Sequence, residues 1–166
     1  LLILVIAASF VIGGRWVWQW IVPPSPLKRI ERVIHETADA IEKESLIAIA
    51  PLIADDFRGG GVDKAGALAM LQRIFAQADR LEVQILRVMH EDAALPADAD
   101  RAHAIVIAQI SGVENTDMQA FRGIAGPADA LLVEFTQQDG RWRVASARHL
   151  DTTDVRQLER QLHGAD

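Results

Sequence analysis

The chain has 166 residues, a formal net charge of −6 and no cysteine. The lack of cysteine excludes disulfides, thiolate nucleophiles and cysteine-ligated metal centres. The acidic balance argues against a nucleic-acid-binding surface, which needs clustered lysine and arginine.

The first predicted element is a single transmembrane helix over residues 1–22. Its only charge is Arg15, and an aromatic group follows at Trp16, Trp18 and Trp20. A helix needs about 20 apolar residues to cross a bilayer, and tryptophan prefers the boundary between water and lipid. The alternative is a cleaved signal peptide, but no Ala-x-Ala cleavage pattern follows the apolar run. The segment therefore predicts a retained membrane anchor in contact with lipid.

The location of the remaining chain is less constrained by this segment. A lone N-terminal anchor more often exports the domain attached to it, which predicts a protein of the bacterial inner membrane with a periplasmic domain. Lys28, Arg29 and Arg32 favour the opposite orientation by the positive-inside rule. Ser9 and Gly13 have a small-xxx-small spacing that permits close packing of membrane helices, so a partner helix is a hypothesis.

A proline-rich spacer at 23–26 leads into three predicted helices. The first spans 27–43, and its apolar residues recur every three or four positions on one stripe. The second spans 45–53 and is interrupted by a proline. A glycine-rich break then precedes the third helix at 64–78, which Asp63 is placed to cap.

Four strands are predicted next, from β-branched runs of suitable length. They cover 81–89, 102–110, 130–136 and 141–150. An Asp-Gly pair within 138–140 predicts a hairpin turn between the last two strands.

The long connection at 112–129 could hold an irregular strand around 118–123. A closing helix is expected at 152–162, in a C-terminal tail that covers 151–166. Three helices followed by at least four antiparallel strands form an α+β pattern, which predicts one domain over 27–150.

Two motifs connect this pattern to a known family. They are the sequence LIADDF at 52–57 and the sequence DGRWRVASARHL at 139–150. With the order of elements, they resemble the nuclear transport factor 2-like superfamily, and most of all its small bacterial SnoaL-like branch. The resemblance implies a cone in which a curved, mainly antiparallel sheet wraps around about three helices and encloses an apolar pocket.

Enzymes of this family place Asp, His or Tyr inside the cone for acid–base chemistry, and this chain has no tyrosine. The remaining candidates are Asp55, Asp56, His90, His103, Arg148 and His149. Each has a structural alternative. Aspartates before glycines often cap a helix end or form a turn, and histidines at strand ends are usually solvated. The chain lacks the His spacing of a metal site, so no metal or cofactor is expected. The glycines at 59–61 are expected to form a flexible turn.

A basic stripe is the other candidate site. It would consist of Arg87, Arg141, Arg143 and Arg148, and would dock an acidic partner or anionic head groups. The alternative is an ordinary outward face, on which these side chains pair with acids such as Glu82 and Glu134.

Three functions are compatible with these features. The leading hypothesis is a membrane-anchored, non-catalytic accessory or assembly protein that binds other membrane subunits, with a homodimer formed through the sheet as a further expectation. The second is a module that binds a lipid or another apolar small molecule near the bilayer. The third is an isomerase or dehydratase, which requires an Asp–His pair within hydrogen-bond reach inside a pocket.

Overall fold

The computed structural model describes residues 24–78, 80–91, 94–112 and 129–150. The predicted anchor, the irregular strand around 118–123 and the closing helix at 152–162 all lie outside these ranges. Within the described ranges, no helix is both long enough and apolar enough to cross a membrane.

The first helix, α1, spans Pro26–Glu42. The Ser25 side chain caps it by accepting a hydrogen bond from the Lys28 N–H at 3.4 Å, and proline is well tolerated at the first helical position because it has no N–H to lose. The predicted apolar stripe faces the core, where Ile30 and Ile34 are buried. Burial of such a side chain contributes about 1.5–3 kcal/mol.

The second helix is shorter than predicted. Helix α2 spans only Leu46–Ile49 and continues as a 3₁₀ turn over Ala50–Leu52. Pro51 cannot donate to an α-helical ladder, so the chain leaves the α conformation there. It then forms an isolated parallel bridge between Ile53 and Val144.

The glycine-rich break contains a small hairpin that was not predicted. Strands β1, Arg58–Gly59, and β2, Val62–Asp63, pair in antiparallel fashion. Gly60 and Gly61 form the turn with φ angles of 58° and 81°, which glycine adopts without steric cost. Helix α3, Lys64–Gln77, follows directly and is capped as predicted by the Asp63 side chain.

One four-stranded antiparallel sheet completes the described fold. Its strands are β3, Glu82–His90; β4, Arg101–Ser111; β5, Asp129–Gln138; and β6, Arg141–Leu150. The strands lie side by side in chain order. The predicted turn between β5 and β6 is confirmed, with positive φ at Asp139 and Gly140.

The inner face of the sheet packs against α1. Its buried side chains include Ala104, Val106, Val133 and Phe135, and Phe135 is completely buried. The outer face has its own buried cluster of Met89, Ile105, Ala130 and Leu150.

Register shifts after Ile85 and Glu134 are β-bulges, which bend strands. Three helices against a mostly antiparallel sheet confirm the α+β prediction.

Candidate functional site

Asp55 and Asp56 belong to a polar network that we call the hairpin corner. It joins the end of the 3₁₀ turn to the β5–β6 hairpin and consists of Asp55, Asp56, Lys64, Gln138 and Arg143. Lys64 Nζ lies 2.8 Å from Asp55 Oδ1, and Arg143 Nη1 lies 3.6 Å from Asp55 Oδ2. Gln138 Nε2 donates to Asp56 Oδ1 at 2.9 Å, and Gln138 Oε1 accepts from the Asp55 N–H at 3.2 Å. Both aspartates therefore connect segments more than 80 residues apart in sequence.

The charges at this corner also change the acidity of Asp55. A hydrogen bond from Lys64 and the charge of Lys64 hold the pKa of the Asp55 carboxyl below its ordinary value, and Arg143 adds to the effect. A carboxylate held ionised in this way acts as an acceptor in a structural network.

His90 and His103 lie on opposite faces of the sheet. His90 pairs in register with Ala104 on the inner face, and its Nε2 lies 3.3 Å from Glu31 Oε1 of α1. His103 pairs in register with Glu134, outside the core, and its Nδ1 lies 3.4 Å from Glu91 Oε2. These two histidines therefore do not share a site.

His149 forms a pair with an acid that was not among the predicted site residues. Its Nε2 lies 3.1 Å from Oδ1 of Asp129, the first residue of β5. In register, Asp129 faces Ala108 and His149 faces Leu131, which places both side chains on the inner face. Asp129 is mostly buried, and its Oδ2 has no partner among the described residues.

Asp129 was missed because it lies just before the predicted start of β5. Strand β5 starts one residue before the predicted boundary. The alternation of inward residues along the strand, extended by that one residue, would have placed Asp129 inward with Leu131 and Val133.

The four arginines of the predicted basic stripe lie at two opposite edges of the sheet. Arg87 is on β3, and Arg141, Arg143 and Arg148 are on β6, three strands away. Arg143 is engaged in the hairpin corner and also lies 3.3 Å from Asp139. The expected partners Glu82 and Glu134 pair with other arginines, Arg80 and Arg101.

A charged groove runs along α1, and we call it the α1 groove. It lies between one side of α1, the segment from α2 to the 3₁₀ turn, and the tip of the β5–β6 hairpin, and its volume is about 630 Å³. Its charged lining comprises Arg29, Arg32, Glu36, Asp39, Lys43 and Arg141. Its apolar lining includes Val33, Ala40, Leu52 and Trp142.

Two donors at this groove are buried without a partner among the described residues. They are the indole Nε1 of Trp142 and the guanidinium Nε of Arg29. Trp142 as a whole is only 4% exposed. Most buried polar groups in proteins have a hydrogen-bond partner. Buried atoms of His90, Asp129 and Arg143 also have none among the described residues, so such atoms are not confined to the groove.

The sequence carries a signal for this groove that the predicted sites did not include. Five charged residues of α1 and its C-terminal end recur at three- and four-residue spacing: Arg29, Arg32, Glu36, Asp39 and Lys43. Such spacing places side chains on one side of a helix. The pattern alone looks like a solvated face, and only the packing of α2 and the hairpin beside it makes a groove.

Comparison with known proteins supports the fold and no closer relationship. No protein-family model and no curated protein matches the chain. Among solved structures, Bd1075 of Bdellovibrio bacteriovorus has a TM-score of 0.59 at 6% identity, covering 74% of this chain and 40% of its own. A nuclear transport factor 2-like protein of unknown function from Pseudomonas putida has a TM-score of 0.57 at 14% identity, over 76% and 89% of the two chains. LinA has a TM-score of 0.54 at 16% identity, over 74% and 83%. The described domain therefore has a nuclear transport factor 2-like fold.

Proposed function

We propose that this protein is a non-catalytic accessory protein that binds a partner protein in a membrane complex, with residues 1–22 as its anchor. The observation that carries the proposal is the α1 groove. Its four basic side chains, Arg29, Arg32, Lys43 and Arg141, take part in no ion pair among the described residues.

Exposed charges without partners are common and carry little meaning alone, because surface ion pairs contribute only about 0–1 kcal/mol. The balance of charge in the groove is more informative, because four basic residues face two acidic ones. A partner that supplies carboxylates in the groove would pair with the excess of bases.

A lipid or apolar ligand has less support than a protein partner. Small-molecule sites enclose most of their ligand, whereas the α1 groove is open and has six charged residues along it. The homodimer through the sheet stays a prediction.

The test is co-purification from native membranes in mild detergent. We expect stoichiometric recovery with other membrane subunits, and loss of these subunits in the variant Arg141→Glu. The control is Arg73→Glu, an equal charge change at an exposed position of α3 outside the groove. Recovery of the wild-type protein alone, as a monomer or homodimer, would contradict the proposal.

The Asp129–His149 pair favours a second candidate, a SnoaL-like isomerase or dehydratase. A carboxylate that accepts from one imidazole nitrogen leaves the other nitrogen free to move a proton. The 3.1 Å contact and the buried Asp129 oxygen support this candidate, whereas the His149 side chain is 45% exposed.

This candidate predicts turnover of some small apolar ketone or hydroxylated carbocycle by the wild-type protein. His149→Gln and Asp129→Asn should each remove it, and His103→Gln, on the other face of the sheet, should not. Equal turnover by wild type and His149→Gln, or none by the wild type across a panel of such compounds, would count against an enzyme.

A further inference from the structure

The α1 groove combines an apolar floor with walls of mixed but net positive charge. Val33, Leu52 and Trp142 supply apolar surface, and the charged lining comprises four basic and two acidic residues. The groove is therefore locally basic on a chain whose formal net charge is −6. A complementary ligand must be apolar along one side and acidic overall.

The α1 charges do not neutralise one another. Arg32 and Glu36 are four residues apart in the less favourable order for an ion pair, and Asp39 and Lys43 are four apart in the more favourable order. They form no ion pair among the described residues, and Arg141 reaches the groove from the hairpin with none either. These guanidinium groups keep their donors for a ligand, and guanidinium binds carboxylate through two parallel hydrogen bonds.

We propose that the α1 groove binds an acidic peptide segment of the partner protein, in which an apolar residue is flanked by aspartate or glutamate. Carboxylates of the segment contact Arg32 and Arg141. The apolar residue lies on the floor beside Val33 and Leu52. This inference rests on the proposed function, since it names the chemistry of the partner.

A membrane surface fits the groove less well. Glu36 and Asp39 stand in the same wall as the bases, so a uniformly anionic lipid surface would be repelled at those two positions. A peptide can place a basic or neutral residue opposite them.

The direct test uses synthetic ten-residue peptides with one or two leucines flanked by aspartate and glutamate. Their binding to the full chain in detergent would be followed by the fluorescence of Trp142, with Trp16, Trp18 and Trp20 replaced by phenylalanine so that it is the only tryptophan. We expect saturable binding that weakens at least tenfold when salt screens the charges. Arg141→Glu should weaken it at least tenfold, and the control Arg73→Glu should leave it unchanged.

A second probe that does not depend on Trp142 fluorescence comes from labelled peptides followed by anisotropy. Arg141→Gln should weaken their binding several-fold while leaving the buried core intact, because Arg141 is exposed. Equal binding of matched peptides with asparagine and glutamine in place of the acids would overturn the inference. So would failure of every acidic peptide, or binding of anionic phospholipid vesicles that displaces the peptides.

Co-purification separates this inference from the proposed function. If the partner is lost with Arg141→Glu and retained with Glu36→Lys, the result supports both the inference and the proposed function. If it is lost with Glu36→Lys and retained with Arg141→Glu, the partner segment is basic, so the inference is wrong while the proposed function survives. If neither variant changes the recovered partner, the groove is not the docking site and the inference fails.

Discussion

Two charged regions meet at the β5–β6 hairpin, and they differ in how their charges are used. In the hairpin corner, Arg143 contacts Asp55 and Asp139 and is only 16% exposed. In the α1 groove, Arg141, two residues earlier on the same strand, is exposed and takes part in no ion pair among the described residues. Identical side chains in one strand therefore lie in different surroundings.

The difference teaches how to separate structural charges from candidate binding charges. The corner charges pair with each other and connect distant segments, although Nε of Arg143 has no partner among the described residues. A ligand would have to break existing bonds to use these charges. The groove charges have no such bonds to lose. If this distinction is correct, changes at the corner should affect stability, and changes at the groove should affect binding and leave stability almost unaltered.

The largest expected effect is at the apolar base of the corner. Phe57 is buried against Ile49 and Ile53, and Phe57→Ala should lower the free energy of unfolding by about 3–5 kcal/mol through lost burial and a cavity. Beside the groove, Ile47 of α2 is 91% exposed, and Ile47→Ala should change stability by less than about 0.5 kcal/mol. Chemical denaturation of both variants measures the contrast, and a similar loss for the two would contradict it.

A smaller effect should distinguish the two arginines directly. Arg143→Met removes charged hydrogen bonds to Gln138 and Asp139. It should lower the free energy of unfolding by about 1–2 kcal/mol. The loss stays small because the carboxylate partners are solvated. Arg141→Met should be neutral within about 0.5 kcal/mol. The same denaturation experiment applies, and the comparison fails if Arg141→Met is the more destabilising change.

The smallest effect is a dependence of stability on pH. The pKa of Asp55 is lower in the folded protein than its ordinary value of 3.8, chiefly because of Lys64. Its contribution is therefore fully present above pH 3.8 and is lost as the pH falls through the lower folded pKa. The wild type should be more stable than Asp55→Asn. This difference in the free energy of unfolding should be constant near neutrality and shrink below pH 3.8.

Denaturation at a series of pH values from neutral to acid measures this advantage. The control is Asp98→Asn at an exposed loop position, for which the curve should follow the wild type. An advantage of the wild type over Asp55→Asn that grows on acidification would show that the assigned ion pair does not stabilise the fold.

Local chemistry was enough to predict most of the described secondary structure. The apolar spacing of α1, the Asp63 cap of α3 and the Asp-Gly turn at Asp139–Gly140 all depend on residues close in sequence. The interruption of the second helix by Pro51 was predicted, whereas the 3₁₀ turn over Ala50–Leu52 was not. The small β1–β2 hairpin was also missed. Glycine permits many turn conformations, and one of them is selected only when Arg58–Gly59 pairs with Val62–Asp63.

The use of each polar side chain was decided by tertiary structure. The sequence by itself determined an α+β domain, the alternation of inward and outward residues along its strands, and a set of charged candidates. It could not show that Asp55 meets Arg143, that Asp129 meets His149, or that Arg141 lies across a groove from α1. Those contacts join residues far apart in the chain, and their geometry depends on how the hairpin packs against the helices, which no local spacing encodes.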